Sequence, residues 1–203
     1  SESIKLEDHQ KAGNYTKAKL LLNHFEIIFS TIILLVWTIG GGMNWLDIYW
    51  SQKITNPILM GTTFIISITM ISSFIDLPFS IYRTFILEHK FGFNRMTIKT
   101  FIGDFFIDIA QGLIFMVPLI YAVLYLMGLE AIRDFWWIYV WILFSFFILT
   151  MMWIYPTFIA TWKNKFKPLE NEALRSRITG LLYLTGFKSD GIYVMDGSKR
   201  SSH

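Results

Sequence analysis

The sequence predicts an all-α polytopic membrane protein, with four transmembrane helices followed by a short C-terminal helix–strand segment that begins a water-facing unit. Three observations predict this. Only 16% of the 203 residues are charged, against about 25% in a typical soluble domain. Hydrophobic residues make up 54% and the mean hydropathy is +0.47. Four stretches carry no Asp, Glu, Lys or Arg: Ile27 to Leu46, Ile54 to Ile75, Ile109 to Leu129 and Phe135 to Trp162, of 20, 22, 21 and 28 residues. About 20 helical residues at 1.5 Å each cross a hydrocarbon core of roughly 30 Å.

In the first stretch, Gly40-Gly41-Gly42 weakens the helix, so the span is expected to start near Leu21 and end at these glycines. Trp45, Tyr49 and Trp50 then suit an interfacial segment, where amphipathic rings prefer to sit, or an aromatic-rich loop. Pro78, Pro118 and Pro156 fall within or beside spans two, three and four, where each removes a backbone donor and favours a kink. After Trp162 a basic run leaves the membrane. Leu169 to Tyr183 has the apolar spacing of an amphipathic helix, with Pro168 suited to its first turn and Gly186 to its end. Ile192 to Met195 reads as a strand between Gly191 and Gly197. The expected organisation is therefore a polar cytoplasmic lead-in at 1–20, a four-span domain at 21–162 and the start of a separate domain at 163–203.

Lys and Arg number four before the first span, one in the first loop, four in the second, one in the third and eight after the last. The positive-inside rule places the lead-in, the second loop and the C-terminal segment in the cytoplasm. A net charge of +3, scattered among these flanks, gives no basis for nucleic-acid binding. With no cysteine in the chain, disulfides and thiolate metal sites are excluded. The chain opens on Ser1-Glu2 without a signal peptide, and both ends read as cuts in a longer protein.

Charged groups near membrane spans are costly and so draw functional suspicion. Asp76 lies two residues before Pro78, and Asp104 and Asp108 share one face of the lead-in to span three. That carboxylate pair suits a proton relay or cation site, or surface ion pairs with Lys99 or Arg95. His9, His24, His89 and His203 have no helical i, i+4 spacing, so the zinc motif His-Glu-x-x-His is absent. Neither a Gly-x-Ser-x-Gly elbow nor a phosphate-binding glycine loop occurs. Asn14-Tyr15-Thr16 matches a glycosylation sequon, but on the expected cytoplasmic side.

Two polar segments are unusual for connectors: Leu87 to Arg95, with Phe91 and Phe93 around Gly92, and Met195 to His203. There the chain resembles the Ste24-type CAAX prenyl proteases, membrane zinc metalloendopeptidases. The resemblance rests on Leu77-Pro78-Phe79-Ser80-Ile81-Tyr82-Arg83-Thr84-Phe85-Ile86-Leu87-Glu88-His89-Lys90-Phe91-Gly92-Phe93-Asn94, on Phe166-Lys167-Pro168-Leu169, and on the segment Tyr193 to His203 with its Gly197-Ser198-Lys199-Arg200-Ser201 run. It implies a helical barrel around an intramembrane chamber, a zinc-activated water with a Glu as general base, and prenylated CAAX or other membrane-associated peptides as substrates. The family's zinc motif lies downstream of the Gly-Ser-Lys-Arg-Ser segment, so the resemblance gives this segment no catalytic residue and no bound metal. The family's first span also precedes the part matching Ser1, and His89 stands where an acidic residue is common.

The resemblance thus implies the N-terminal membrane portion of such a protease, truncated within its protease domain, inactive alone and completed by the remainder of the chain. Glu88, Lys90 and Asn94 would close the cytoplasmic loop, and Lys199, Arg200 and His203 would line the approach to the metal. Its partners would be the lipid bilayer, the rest of the protease and a peptide. The alternatives are a non-enzymatic four-span binding or assembly protein, and a small proton-coupled carrier using Asp76, Asp104 and Asp108.

Overall fold

The computed structural model describes residues 6–156, 166–189 and 191–195. Helix α1 runs unbroken over Leu6–Thr38. It is therefore already helical at Leu6, the first described residue, fifteen residues before the expected start of span one, because the polar lead-in contains no proline and continues the same helix through Lys11, Lys17 and Lys19. It ends where the glycines predict. Gly41 adopts the left-handed conformation at φ 81°, and a Cβ on Gly40 would lie 2.6 Å from the Val36 carbonyl oxygen.

The aromatic segment that follows is a helix, α2, over Gly42–Ser51. Its Leu46 is only 3% exposed. Trp45 and Tyr49 stack at 5.7 Å, and the Trp50 indole donates to Ser67 Oγ at 3.0 Å. Helix α3, Pro57–Ile81, starts at Asn56, whose side chain accepts from the Ile58 and Leu59 amides. Pro57 occupies the first turn, where its missing N–H costs nothing. Downstream of Pro78 the helix widens into a π-helical segment, Tyr82–Glu88.

Helix α4, Ile98–Met127, is capped by Thr97 and carries Pro118 inside it. Asp104 and Asp108 therefore belong to this helix and not to a lead-in before it. A 3₁₀ turn at Glu130–Ile132 leads to α5, Trp136–Ile154; the apolar stretch beyond 156 lies outside the described residues. The helices pack as a sequential bundle: α3 touches α2 and α4, α4 touches α5, and α1 touches α2 and the π segment.

Four helices are long and apolar enough to cross a membrane: Gln10–Thr38, Pro57–Glu88, Ile98–Met127 and Trp136–Ile154. At most 11% of any span's most apolar window is buried, so the apolar surface faces outward, as in a bilayer-embedded protein. The first three have 29, 32 and 30 residues, or about 44–48 Å of helix against a core of about 30 Å. Their charged residues, Glu26, Asp76, Arg83, Asp104 and Asp108 among them, cluster at the end where α1 and α4 begin and α3 finishes. The surplus length is thus polar and stands at that charged end.

Close packing of α3 on α4 depends on Gly61: a Cβ there would lie 3.0 Å from Leu124 Cδ1. Gly61→Leu is expected to destabilise the bundle by about 1–3 kcal/mol through overpacking. Thermal denaturation in detergent measures this, and an unchanged midpoint would disprove the close contact.

Beyond the bundle, Phe166–Pro168 (β1) pairs antiparallel with Tyr193–Met195 (β2). Helix α6, Glu172–Thr185, connects them, capped by Asn171 and ended by left-handed Gly186. The ending at Gly186 matches the sequence expectation, whereas Pro168 sits in β1 and not in the helix's first turn. The physical reason lies in the ladder. Leu169 N–H donates to the Ile192 carbonyl at 3.0 Å, so by antiparallel alternation the next hydrogen-bonded pair is Lys167–Val194. Pro168, facing Tyr193, occupies the position between, where no N–H is required. The strand expected at 192–195 thus finds its partner upstream within this chain.

Candidate functional site

The candidate residues separate into a loop after the second span and a strand pair after the fourth. The loop is held by its own backbone. Phe93 and Asn94 N–H groups donate to the Glu88 carbonyl at 2.9 and 3.3 Å, and Gly92 N–H donates to the His89 carbonyl at 3.0 Å. Gly92 has φ +77°, a conformation that a side chain would strain. Asn94 Oδ1 accepts from Met96 N–H at 2.7 Å, and Thr97 Oγ1 accepts from Thr100 N–H at 3.2 Å to start α4. Of the three expected residues, Asn94 shapes the loop through its side chain, and Glu88 contributes its backbone carbonyl, which any residue there would supply. Lys90 is exposed beside them.

The same stretch is sewn to α1 by contacts that sequence reasoning did not foresee. Phe79 packs on Phe29 with ring centroids 5.0 Å apart. Arg83 Nη2 reaches Glu26 Oε2 at 2.5 Å and Asn23 Oδ1 at 3.3 Å. Leu22 and Leu87 are both buried. Tyr15 stands between Phe91 and Phe93, at 5.3 and 4.9 Å, with edge-on geometry to both, and Lys11 Nζ lies 5.4 Å from the Phe93 ring centre. Contacts descend α1 as they ascend the motif, so the two segments form one antiparallel seam.

The π segment explains how the motif keeps facing α1. In an α-helix, residues four apart drift by about 40° per step. Phe79, Arg83 and Leu87 are four apart, so a pure α-helix would carry Leu87 off the seam. A π turn takes in one more residue, which cancels most of that drift.

Of the acidic suspects, Asp76 is exposed on α3. Asp104 is half-buried, and neither it nor Asp108 lacks a partner. Asp108 borders a groove of about 170 Å³ between α3 and α4, with Thr69, Ser73, Gly112 and Met116 among its walls. No group of three His, Cys, Asp or Glu residues able to hold a metal occurs among the described residues. Lys199, Arg200 and His203 lie outside the described residues, the last of which is Met195 in β2.

Sequence reasoning missed Tyr15, which registered only as the middle of a discounted sequon, and the ion pair of Arg83 with Glu26. It also missed the strand at Phe166–Pro168, although Phe166-Lys167-Pro168-Leu169 had been singled out by motif. Three apolar-edged residues beside a proline carry no alternating pattern long enough to signal a strand.

Comparison with known proteins gives concordant matches. Residues 1–165 match the family model described as CAAX prenyl protease N-terminal, five membrane helices. Four of the helices in this chain are span candidates among the described residues. A CAAX prenyl protease 1 homolog of Caenorhabditis elegans is 32% identical over 206 residues, covering 100% of this chain and 44% of the relative. CAAX prenyl protease 1 of Saccharomyces cerevisiae is 31% identical, over 100% of this chain and 46% of its own length. The crystal structure of S. mikatae Ste24p superposes with a TM-score of 0.90 at 30% identity, over 100% of this chain and 48% of that one. The chain thus spans less than half the length of these relatives. The family match, the membrane spans and the helical architecture agree: this chain is a multi-pass membrane protein segment that belongs to the CAAX prenyl protease N-terminal family.

Proposed function

We propose that this chain is the membrane portion of a zinc endopeptidase that cleaves prenylated CAAX or other membrane-associated peptides. The observation that carries the reading is the β1–β2 pair. It joins the motif that leaves the bundle, Phe166 to Leu169, to the motif that runs toward Gly197-Ser198-Lys199-Arg200-Ser201. An antiparallel pair fixes register to a single residue, so it sets where the downstream segment is delivered.

In this reading the boundaries at 20 and 162 separate a cytoplasmic lead-in, a four-span wall and the near edge of the protease domain. The basic end of the bundle faces the cytoplasm. Zinc belongs to the remainder of the protease chain, since the described residues offer no ligand set. Glu88 and Asn94 hold the loop at the cytoplasmic mouth. Lys90, Lys199, Arg200 and His203 line the path that a peptide takes, where cationic and hydrogen-bonding groups suit a peptide's carboxylate and carbonyls.

The test is the full-length protein in proteoliposomes with a farnesylated peptide ending in a CAAX sequence. Cleavage that is lost on adding a chelator is expected, and the 203-residue chain alone is expected to cleave nothing. A full-length protein with no activity would overturn the peptidase reading. Chelator-sensitive cleavage by the 203-residue chain would overturn the placement of the metal.

A further inference from the structure

We infer that Tyr15 is a positioning residue: the first turns of α1 serve as a post that holds the loop at 89–97 in one place. This rests on the proposed peptidase reading for its functional consequence, but on geometry alone for the clasp itself.

The post is built from surplus helix. Sixteen residues of α1, Leu6 to Leu21, stand N-terminal to the buried Leu22, on the polar extension of the bundle. Tyr15 is half-buried there, although its neighbours Asn14 and Thr16 are exposed. What covers it are the two rings that flank Gly92. Gly92 at φ +77° turns the chain so that Phe91 and Phe93 both reach the same tyrosine. Lys11, one turn earlier on α1, closes over the second ring, and its Nζ lies 3.8 Å from where a Cβ on Gly92 would project.

The loop itself is stiff at both ends. The Glu88 carbonyl ties it to the π segment, and the Asn94 and Thr97 side chains tie it to α4. A stiff loop moves as a unit when the aromatic clasp on it is lost. Tyr15 therefore acts through the clasp on Glu88, Lys90 and Asn94 together, without touching a substrate. Its ring makes both aromatic contacts, so the ring and not the hydroxyl does the holding.

The experiment uses the full-length protein with Tyr15→Ala and Tyr15→Phe, read by hydrogen exchange and by cleavage of the farnesylated peptide. For Tyr15→Ala, amide exchange across 89–97 is expected to quicken about tenfold, the scale for losing two aromatic pairs, with α3 and α4 unchanged. KM is expected to rise several-fold while kcat and zinc content hold. Tyr15→Phe should match the parent in every measurement. Unchanged exchange in Tyr15→Ala would overturn the clasp, as would a Tyr15→Phe protein that behaves like Tyr15→Ala. Faster exchange spread through α3 and α4 would also overturn it, by showing a general structural role. If the parent protein cleaves nothing, the peptidase reading fails, and the exchange data still decide the clasp by themselves.

Discussion

Arg83→Leu is expected to destabilise the membrane domain by roughly 1–3 kcal/mol, and Arg83→Leu combined with Glu26→Gln to recover much of that loss. Arg83 joins α1 to the π segment through Glu26 and Asn23. Removing it leaves the Glu26 carboxylate beside an apolar surface with its partner gone, and an abandoned charge costs more than the pair contributed. A fully buried pair would lose about 3–5 kcal/mol on this account. Here the side chains are 38% and 25% exposed, so solvent screening reduces the figure. The double variant removes the charge along with its partner, which is why it should be the milder change. A double-mutant cycle in detergent, read by thermal denaturation, measures the coupling. A double-variant loss equal to the sum of the Arg83→Leu and Glu26→Gln losses would show that the ion pair contributes nothing to the seam.

The second large effect concerns the strand pair. Val194→Pro in the full-length protein is expected to lower peptide cleavage by about a hundredfold, the scale reported for ångström-level misplacement of reacting groups. Val194 faces Lys167 in the hydrogen-bonded register, so proline there deletes a ladder bond and crowds β1. Tyr193→Pro is the control. Tyr193 faces Pro168, at the alternate position where the N–H points away from the partner, and its loss of activity should be under about tenfold. If the two variants behaved alike, the register of β1 on β2 would not govern delivery of the downstream segment. Zinc content measured alongside separates misplacement from loss of the metal.

The membrane architecture was legible because its signal is long. Charge-free stretches of 20 residues or more leave few alternatives in water or lipid, and all four mark helices in the structure. The glycine run ending α1 and Gly186 ending α6 were legible for a local reason, since both act through backbone freedom that neighbours do not override. The helical character of residues 6–20 was not. Hydropathy reports where lipid begins, and a helix has no need to stop there. The strand at Phe166–Pro168 was invisible as secondary structure because its pairing partner lies 25 or more residues away. At the candidate site, the motif stretch marked the loop at 89–97, yet the ring that clasps it, Tyr15, is about 75 residues upstream. Such a contact is set by how helices pack, and a single sequence carries no period that announces it.

The π segment has a consequence for which chain lengths this fold tolerates. Deleting one residue between Tyr82 and Glu88 would leave enough backbone for an ordinary α-helix, and by hydrogen bonding alone the change would look harmless. Everything after it would keep nearly its present direction, because the six residues left, at about 100° each, sweep almost the same angle as seven in the wider π turn. Phe91 and Phe93 would still meet Tyr15, and Leu87 would still face α1. What disturbs the seam is a plain α-helix of unchanged length, which carries later residues round by roughly 40° for every four. The seam therefore fixes the phase of this segment and not its residue count. Relatives that keep the clasp should vary freely in residue type at exposed positions such as Tyr82 and Ile86, and should cross this stretch either with the π turn or with one residue fewer in plain α-helix.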